Sequence, residues 1–324
     1  MKKHFLISIL LAVSPGLSLP VNAKLTQETV DSMFVIASSG AMKYRDMVQP
    51  TIDDMAGYGV EIVPFLIDKL GTIDARERVT LRQILAKIGK PAVPLLNDAL
   101  LTVEDSLQLS RVSLILFYIP DSSSVENLLK VKDHSYYWVR YQTIRALGKI
   151  GDRRGLDAIK EALQDENELV RTMAAVSAGR MVDDEELFDI LVPVLDDKYY
   201  GVRFSAYEAL KNLDCEVKKK YIFKYIDDDN SHFKESYLAR IIAEDSCEYN
   251  VEKIKAHCQG TYINSFMFQA LWKFDCEAAM ELMRMSIMTD SNTRSIMKRE
   301  SYIDHLKPGL TSCDEKEEAA TDSR

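Results

Sequence analysis

Three cysteines recur in one local setting: Leu213-Asp214-Cys215-Glu216, Asp245-Ser246-Cys247-Glu248 and Phe274-Asp275-Cys276-Glu277. Thiols at repeated positions can oxidise to disulfides in an oxidising compartment. Equivalent atoms of stacked helical units lie about 8–10 Å apart, beyond the ~7 Å limit between bridged α-carbons. A Cys215–Cys247 or a Cys247–Cys276 bond therefore requires the junctions to lean together, and one such bond is expected. Cys258 stands about eleven residues, or ~16 Å of helix, beyond Cys247 and should face the opposite edge. With Cys313 the total of five is odd, so at least one thiol stays free or pairs between chains.

Other reactive types lack a constellation. His257-Cys258 are adjacent, hence about 100° apart on a helix, with no second pair at a ligand spacing; they read as surface residues. Asp227-Asp228-Asp229 lacks the alternate-position ligands and closing Glu of a calcium loop and reads as a solvated turn. No HExxH, GxSxG, Walker loop or CxxC occurs. The expectation is a protein with no catalytic residues, no metal and no cofactor.

Two other sets recur at regular spacing. Arg140, Arg171 and Arg203 each follow an Asp by six or seven residues, a pattern that suits hydrogen bonds tying neighbouring units together. Tyr136-Tyr137-Trp138 and Tyr199-Tyr200 fall at the same place in units two apart, where the intervening unit has Glu168-Leu169. Such rings on a turn ridge are anchors of the kind enriched in protein interfaces. Against that, Trp138 directly precedes an apolar Val139 and has a second reading as packing beneath the ridge. Arg145, Lys149 and Arg180 form a candidate positive patch for an acidic partner segment or the chain's own acidic tail.

These positions follow from a period. The segment ends Ile88-Gly89-Lys90, Ile119-Pro120-Asp121, Ile150-Gly151-Asp152, Met181-Val182-Asp183 and Leu213-Asp214-Cys215 are spaced 31, 31, 31 and 32 residues apart. A second column, Val139-Arg140, Val170-Arg171, Val202-Arg203 and Phe233-Lys234, keeps the same step. From Val139 the apolar or small residues fall at Thr143, Ala146, Leu147 and Ile150, and from Val202 at Ala206, Ala209, Leu210 and Leu213. Both sets make one stripe on a helix. A shorter helix precedes each, as in Leu156 to Leu163, and Asp133, Asp165 and Asp197 are placed to cap the longer ones. The fold class is all-α: an α-α superhelix, a solenoid of helical hairpins with a period of about 31 residues. Each hairpin is too small to bury its own stripe and must stack on its neighbours.

Pro91-Ala92-Val93-Pro94-Leu95-Leu96, Ala146-Leu147-Gly148-Lys149-Ile150-Gly151-Asp152 and the Val-Arg pairs resemble short HEAT-type repeats, of the kind also found in phycobilisome lyases. The resemblance covers roughly residues 58–245. It implies a curved ribbon whose concave face binds another macromolecule. By analogy with the lyases it also implies an alternative, a lyase- or chaperone-like protein acting on a tetrapyrrole or a client protein.

Composition agrees with a folded chain. Of 324 residues 47% are hydrophobic, too apolar for disorder. The formal charge of −9 disfavours nucleic acid and anionic lipid as partners. Lys2-Lys3, the apolar run Phe5 to Val13, and Val21-Asn22-Ala23 read as a secretory signal at 1–23 cleaved after Ala23, hence periplasmic or secreted. The run is about half the length of a membrane span, so no stable membrane insertion is expected. Residues 24–57 form an N-terminal cap, 58–245 the repeats, 246–305 degenerate helical repeats, and 306–324 an acidic disordered tail. The 246–305 segment holds six of the chain's 13 Met in Met267 to Met297, read as a loose cap or an adaptable surface through which the chain could oligomerise. The function expected is an exported, non-enzymatic scaffold or adaptor for a protein partner.

Overall fold

A computed structural model describes residues 25–227, 232–258 and 265–289. The residues read as a signal segment and as an acidic tail, Asp228, Asp229, Cys313, Met297 and the side chains of Asp227, Met283, Met285 and Met288 lie outside that description. Among the described residues there are seventeen α-helices and no strand. The chain divides into two compact units, Met1–Val131 and Lys132–Arg324, and the division falls inside the span read as uninterrupted repeats.

The first unit contains α1 (Gln27–Ala37), α2 (Val48–Gly57), α3 (Val63–Lys69), α4 (Ala75–Ile88), α5 (Val93–Thr102), α6 (Ser106–Tyr118) and α7 (Val125–Val131). Here α2, α4 and α6 pack in one row and α3, α5 and α7 in another. The second unit contains α8 (Tyr137–Ile150), α9 (Leu156–Ala162), α10 (Glu168–Met181), α11 (Glu186–Leu191), α12 (Tyr200–Lys211), α13 (Cys215–Asp227), α14 (His232–Glu244), α15 (Val251–Cys258), α16 (Ser265–Phe274) and α17 (Cys276–Thr289). In this unit α8, α10, α12, α14 and α16 lie side by side, while α9 rests on α8 and α10, and α11 on α10 and α12.

Local chemistry explains where the helices begin and end. Asp74 accepts from the amides of Arg76 and Glu77 at 2.7 and 3.1 Å, and Asp105 from Gln108 at 2.7 Å, capping α4 and α6. Gly151 leaves α8 in the left-handed conformation at φ 73°, open to glycine at no steric penalty. Asp165 and Asp197 do not cap α10 and α12 as expected. Each accepts the amide two residues on, from Asn167 and Tyr199, at 2.8 Å, and Asn167 caps α10 instead. The position equivalent to Asp165 in the preceding repeat is His134, whose Nδ1 accepts the Tyr136 amide at 3.0 Å. Asp133 pairs with Lys132 instead.

The stripes are largely buried: Val139, Thr143, Ala146, Leu147, Val170, Val202, Ala206 and Leu210 are each at most 1% exposed and Leu213 is buried, while Ile150 and Ala209 are half-buried. The second column fails at its last member. Phe233 is exposed, and Leu238, Ala239 and Ile242 take the buried places of Ala206, Tyr207 and Leu210 at a step of 32 residues. That one-residue shift rotates Phe233 about 100° off the core face.

The long helices approach closely through small residues. A β-carbon on Gly148 would lie 2.4 Å from that of Ser177, and one on Gly179 would lie 2.6 Å from that of Ala209. Gly148→Ala should destabilise the protein by about 1–3 kcal/mol through overpacking of α8 against α10. Gly201→Ala, with its nearest neighbour atom at 4.0 Å, should instead stabilise by about 0.5–1 kcal/mol through lost chain entropy. Urea unfolding midpoints of the two variants measure the difference.

Candidate functional site

The loops before α8, α10 and α12 hold a ladder. Arg140 donates from Nε and Nη2 to the Asp165 carboxylate at 2.7 and 2.9 Å, and from Nη1 to the carbonyls of His134 and Ser135 at 2.9 and 3.1 Å. Arg171 repeats the arrangement one unit on, reaching Asp197 at 2.6 and 3.1 Å and the carbonyl of Asp165 at 2.7 Å. Both arginines are buried. Burial by itself would raise the Asp165 and Asp197 carboxyls, but the guanidinium forks and the Asn167 and Tyr199 amides outweigh it and hold both below the usual range. Each arginine thus closes its own loop and grips the next repeat.

On this ladder sits a column of exposed apolar side chains, four of them rings. Tyr136, Leu169, Tyr199, Tyr200 and Phe233, at the N-terminal ends of four successive long helices, are 36%, 42%, 43%, 60% and 59% exposed. Arg171 lies 5.4 Å from the Tyr199 ring centre, and Arg203 lies 5.9 Å from Tyr200 and 5.0 Å from Phe233. Arg171, which ties two repeats together, therefore also orients an exposed ring, and Arg203 lies against two more. Trp138 is half-buried and stacks on Tyr141 with centres 4.6 Å apart, while Tyr137 is half-buried between Tyr136 and Trp138.

The rings continue along α12 and α14. Tyr200, Phe204, Tyr207 and Tyr237 follow one another at 5.7, 5.8 and 5.7 Å, and Arg240 lies over both Tyr207 and Phe266. Glu244 closes this run, accepting from the Tyr207 hydroxyl at 2.5 Å, Arg240 Nε at 2.6 Å and Lys211 Nζ at 2.9 Å. Burial would raise its carboxyl, yet these three donors hold it at about 2 against an ordinary 4.5.

The expected positive patch does not join the rings. Arg145 and Lys149 lie toward the far end of α8 and Arg180 at the far end of α10. Lys149 is thirteen residues from Tyr136, about 20 Å along the helix. Leu169, Phe233, Phe204 and Tyr237 escape the sequence reading. The register step of 32 residues was the signal available for Phe233.

The cysteine chemistry resolves to a Cys215–Cys247 bond with α-carbons 5.5 Å apart. Cys215 opens α13, whereas Cys247 lies in the connection before α15, so the two are not at equivalent helix positions and the 8–10 Å spacing does not apply. Cys276 is disulfide-bonded, but not to Cys247. Cys258 is a free thiol and, contrary to the surface reading, is fully buried beside Ile254, its thiol pushed up to about 12 by burial. Next to it, His257 is half-buried with its ring 5.9 Å from Phe223. Among the described residues no group of three His, Cys, Asp or Glu is placed to hold a metal ion, and no helix is long and apolar enough to cross a membrane. In the first unit a shallow pocket is lined by Asp31, Phe34, Asp68, Lys69, Thr72 and Glu77, but Asp31 binds Lys69 and Thr72 binds Glu77.

Stacked helical hairpins, joined at two successive seams by a buried arginine fork, define a helical-repeat protein. The family model for HEAT repeats matches residues 125–211, and these repeats belong to the HEAT-repeat family. Among solved structures the chain is similar to an engineered protein at 14% identity, covering 88% of this chain and 92% of that one with a TM-score of 0.41. It is similar to human deoxyhypusine hydroxylase in complex with glycerol at 16% identity, covering 77% and 97% with a TM-score of 0.34. It is also similar to the complex of CpcE and CpcF of phycocyanin lyase from Nostoc sp. at 16% identity, covering 85% and 99% with a TM-score of 0.37. Likeness at this level says nothing of activity. A search of curated proteins finds no match.

Two outcomes follow from the charge geometry. Arg171→Met should lower stability by about 3 kcal/mol, because Asp197 is left buried without its fork. Lys132→Met, which breaks the exposed pair with Glu161, should cost less than about 1 kcal/mol; urea denaturation compares them. Glu244 stabilises the fold above its unfolded pKa near 4.5 and loses that contribution as pH falls toward about 2. Glu244→Gln should flatten the fall in unfolding midpoint across that window, read by circular dichroism.

Proposed function

We propose that this protein is an exported, non-enzymatic scaffold that binds another protein through the ring column on the second unit. One observation carries the reading: Tyr136, Leu169, Tyr199, Tyr200 and Phe233 place large apolar surface in water at the same end of successive helices. A folded chain has no packing reason to hold such residues outward once per repeat, and contiguous exposed apolar surface marks interaction sites. Tyrosine suits the role, with a large contact area and few torsions to order on binding. The rings are also pre-oriented by Arg171 and Arg203, which lowers the entropy lost on association. Export rests on the Lys2-Lys3, Phe5 to Val13 and Ala23 pattern. The absence of a catalytic motif from the sequence supports a binding role over turnover.

The test is recovery of a partner from cell-envelope extract on the immobilised chain. Tyr200→Ala combined with Phe233→Ala should reduce recovery about tenfold, in the range of an interface hot spot. Ile73→Ala, an exposed apolar residue of the first unit, should leave it unchanged. Equal recovery with the double variant removes the ring column from the account.

A further inference from the structure

We infer that Cys215 and Cys247 form a reversible thiol–disulfide exchange site, kept in register by a buried Lys218–Asp245 ion pair whether the sulfurs are joined or not. The bond requires two unlike junctions to meet, since Cys215 opens α13 and Cys247 lies in the connection from α14 to α15. Contacts that involve no sulfur draw them together. Lys218 stands one turn beyond Cys215, on the same side of α13. Its Nζ lies 2.9 Å from Asp245 Oδ2 and donates to the Lys211 carbonyl at 2.8 Å. Both side chains of the pair are buried, at 6% and 8% exposure. The Asp245 carboxylate also accepts from the Cys247 amide at 2.9 Å and the Tyr249 hydroxyl at 2.7 Å. Tyr249 is itself buried against Phe223 and Phe274. Parting the junctions would strand two charges in the interior, which is strongly unfavourable. Lys218 is thus a positioning residue for the sulfur chemistry, a role independent of the ring column.

Access decides which sulfur exchanges. Cys215 is half-buried, whereas Cys247 is buried at 4% exposure. A small thiolate reaches Cys215 Sγ, forms a mixed disulfide there and expels the Cys247 thiolate. A second small thiolate then attacks the outer sulfur of the mixed disulfide and releases the Cys215 thiolate. Two small thiols thereby become one small disulfide. Two electrons pass to the protein, and its two sulfurs take up the protons that the small thiols gave up. Oxidation runs these steps in reverse, with a low-molecular-weight disulfide as the oxidant. The substrate class is therefore a small thiol and its disulfide. Because the ion pair persists, reduction opens the bond without separating its partners, and the same two sulfurs meet again on oxidation.

The test equilibrates the full chain with mixtures of reduced and oxidised glutathione, traps thiols by alkylation and maps the peptides. Mapping separates this pair from Cys258, Cys276 and Cys313. The quantity read is the effective concentration of one thiol at the other. The cysteines are 32 residues apart, and a flexible connection of that length gives only a value on the order of 10 mM. Sulfurs held in mutual reach should exceed about 1 M, a gain of roughly a hundredfold from positioning. Lys218→Met should lower the value about tenfold or more, because the junctions lose the charge that ties them. Lys218→Arg, which keeps that charge, should restore most of it. A value near 10 mM for the unaltered chain overturns the inference even if Lys218→Met does not fold. An unchanged value in Lys218→Met overturns it as well.

Discussion

The second unit depends on a charge placed where charge is expensive. Arg140 and Arg171 are buried at the seams between repeats, and a guanidinium there is tolerable only when every strong donor finds an acceptor. The acceptors come from two sources, loop carbonyls of the same repeat and the aspartate of the next. A repeat displaced along or across its neighbour would strand the charge. The interaction thus specifies geometry more than it adds stability, since a buried pair roughly repays its own desolvation. Apolar stripes alone would permit hairpins to slide; the rungs set the register.

Register in turn decides what reaches the surface. Helices α8, α10 and α12 can come together because Gly148 and Gly179 have no side chain at the crossing. Close approach pins the helix ends, and the ends carry the rings. Where the ladder changes, the surface changes too. At α14 the position after Phe233 is Lys234, paired with Asp196, instead of a core valine followed by arginine. The register moves by one residue and an aromatic side chain is released outward. The same region holds the Glu244 network and the Cys215–Cys247 bond, which restrain the adjoining helices by means other than arginine rungs.

Much of the architecture was legible in the chain. A 31-residue step repeated in two columns leaves few alternatives to stacked hairpins, because a stripe at helical spacing must meet another stripe. The recurrence of Arg after Asp pointed to the ladder, although each arginine reaches the following aspartate and the preceding one serves its own loop. The tyrosine pairs stood out as deviations from the repeat. The basic residues Arg145, Lys149 and Arg180 were legible as a group because they recur toward the C-terminal ends of α8 and α10, which pack side by side, away from the rings.

By itself, the sequence determined the helical class, the repeat length, most of the buried stripe and the arginines of two seams, since each depends on spacing along a single helix. Tertiary structure alone decided the rest. It placed Phe233 in solvent and Cys258 in the core, and brought Cys215 to Cys247 through a long connection. Those outcomes turn on how one helix is rotated and shifted against the next. A shift of one residue moves a side chain by about 100°, and only the packed neighbours set where that rotation stops.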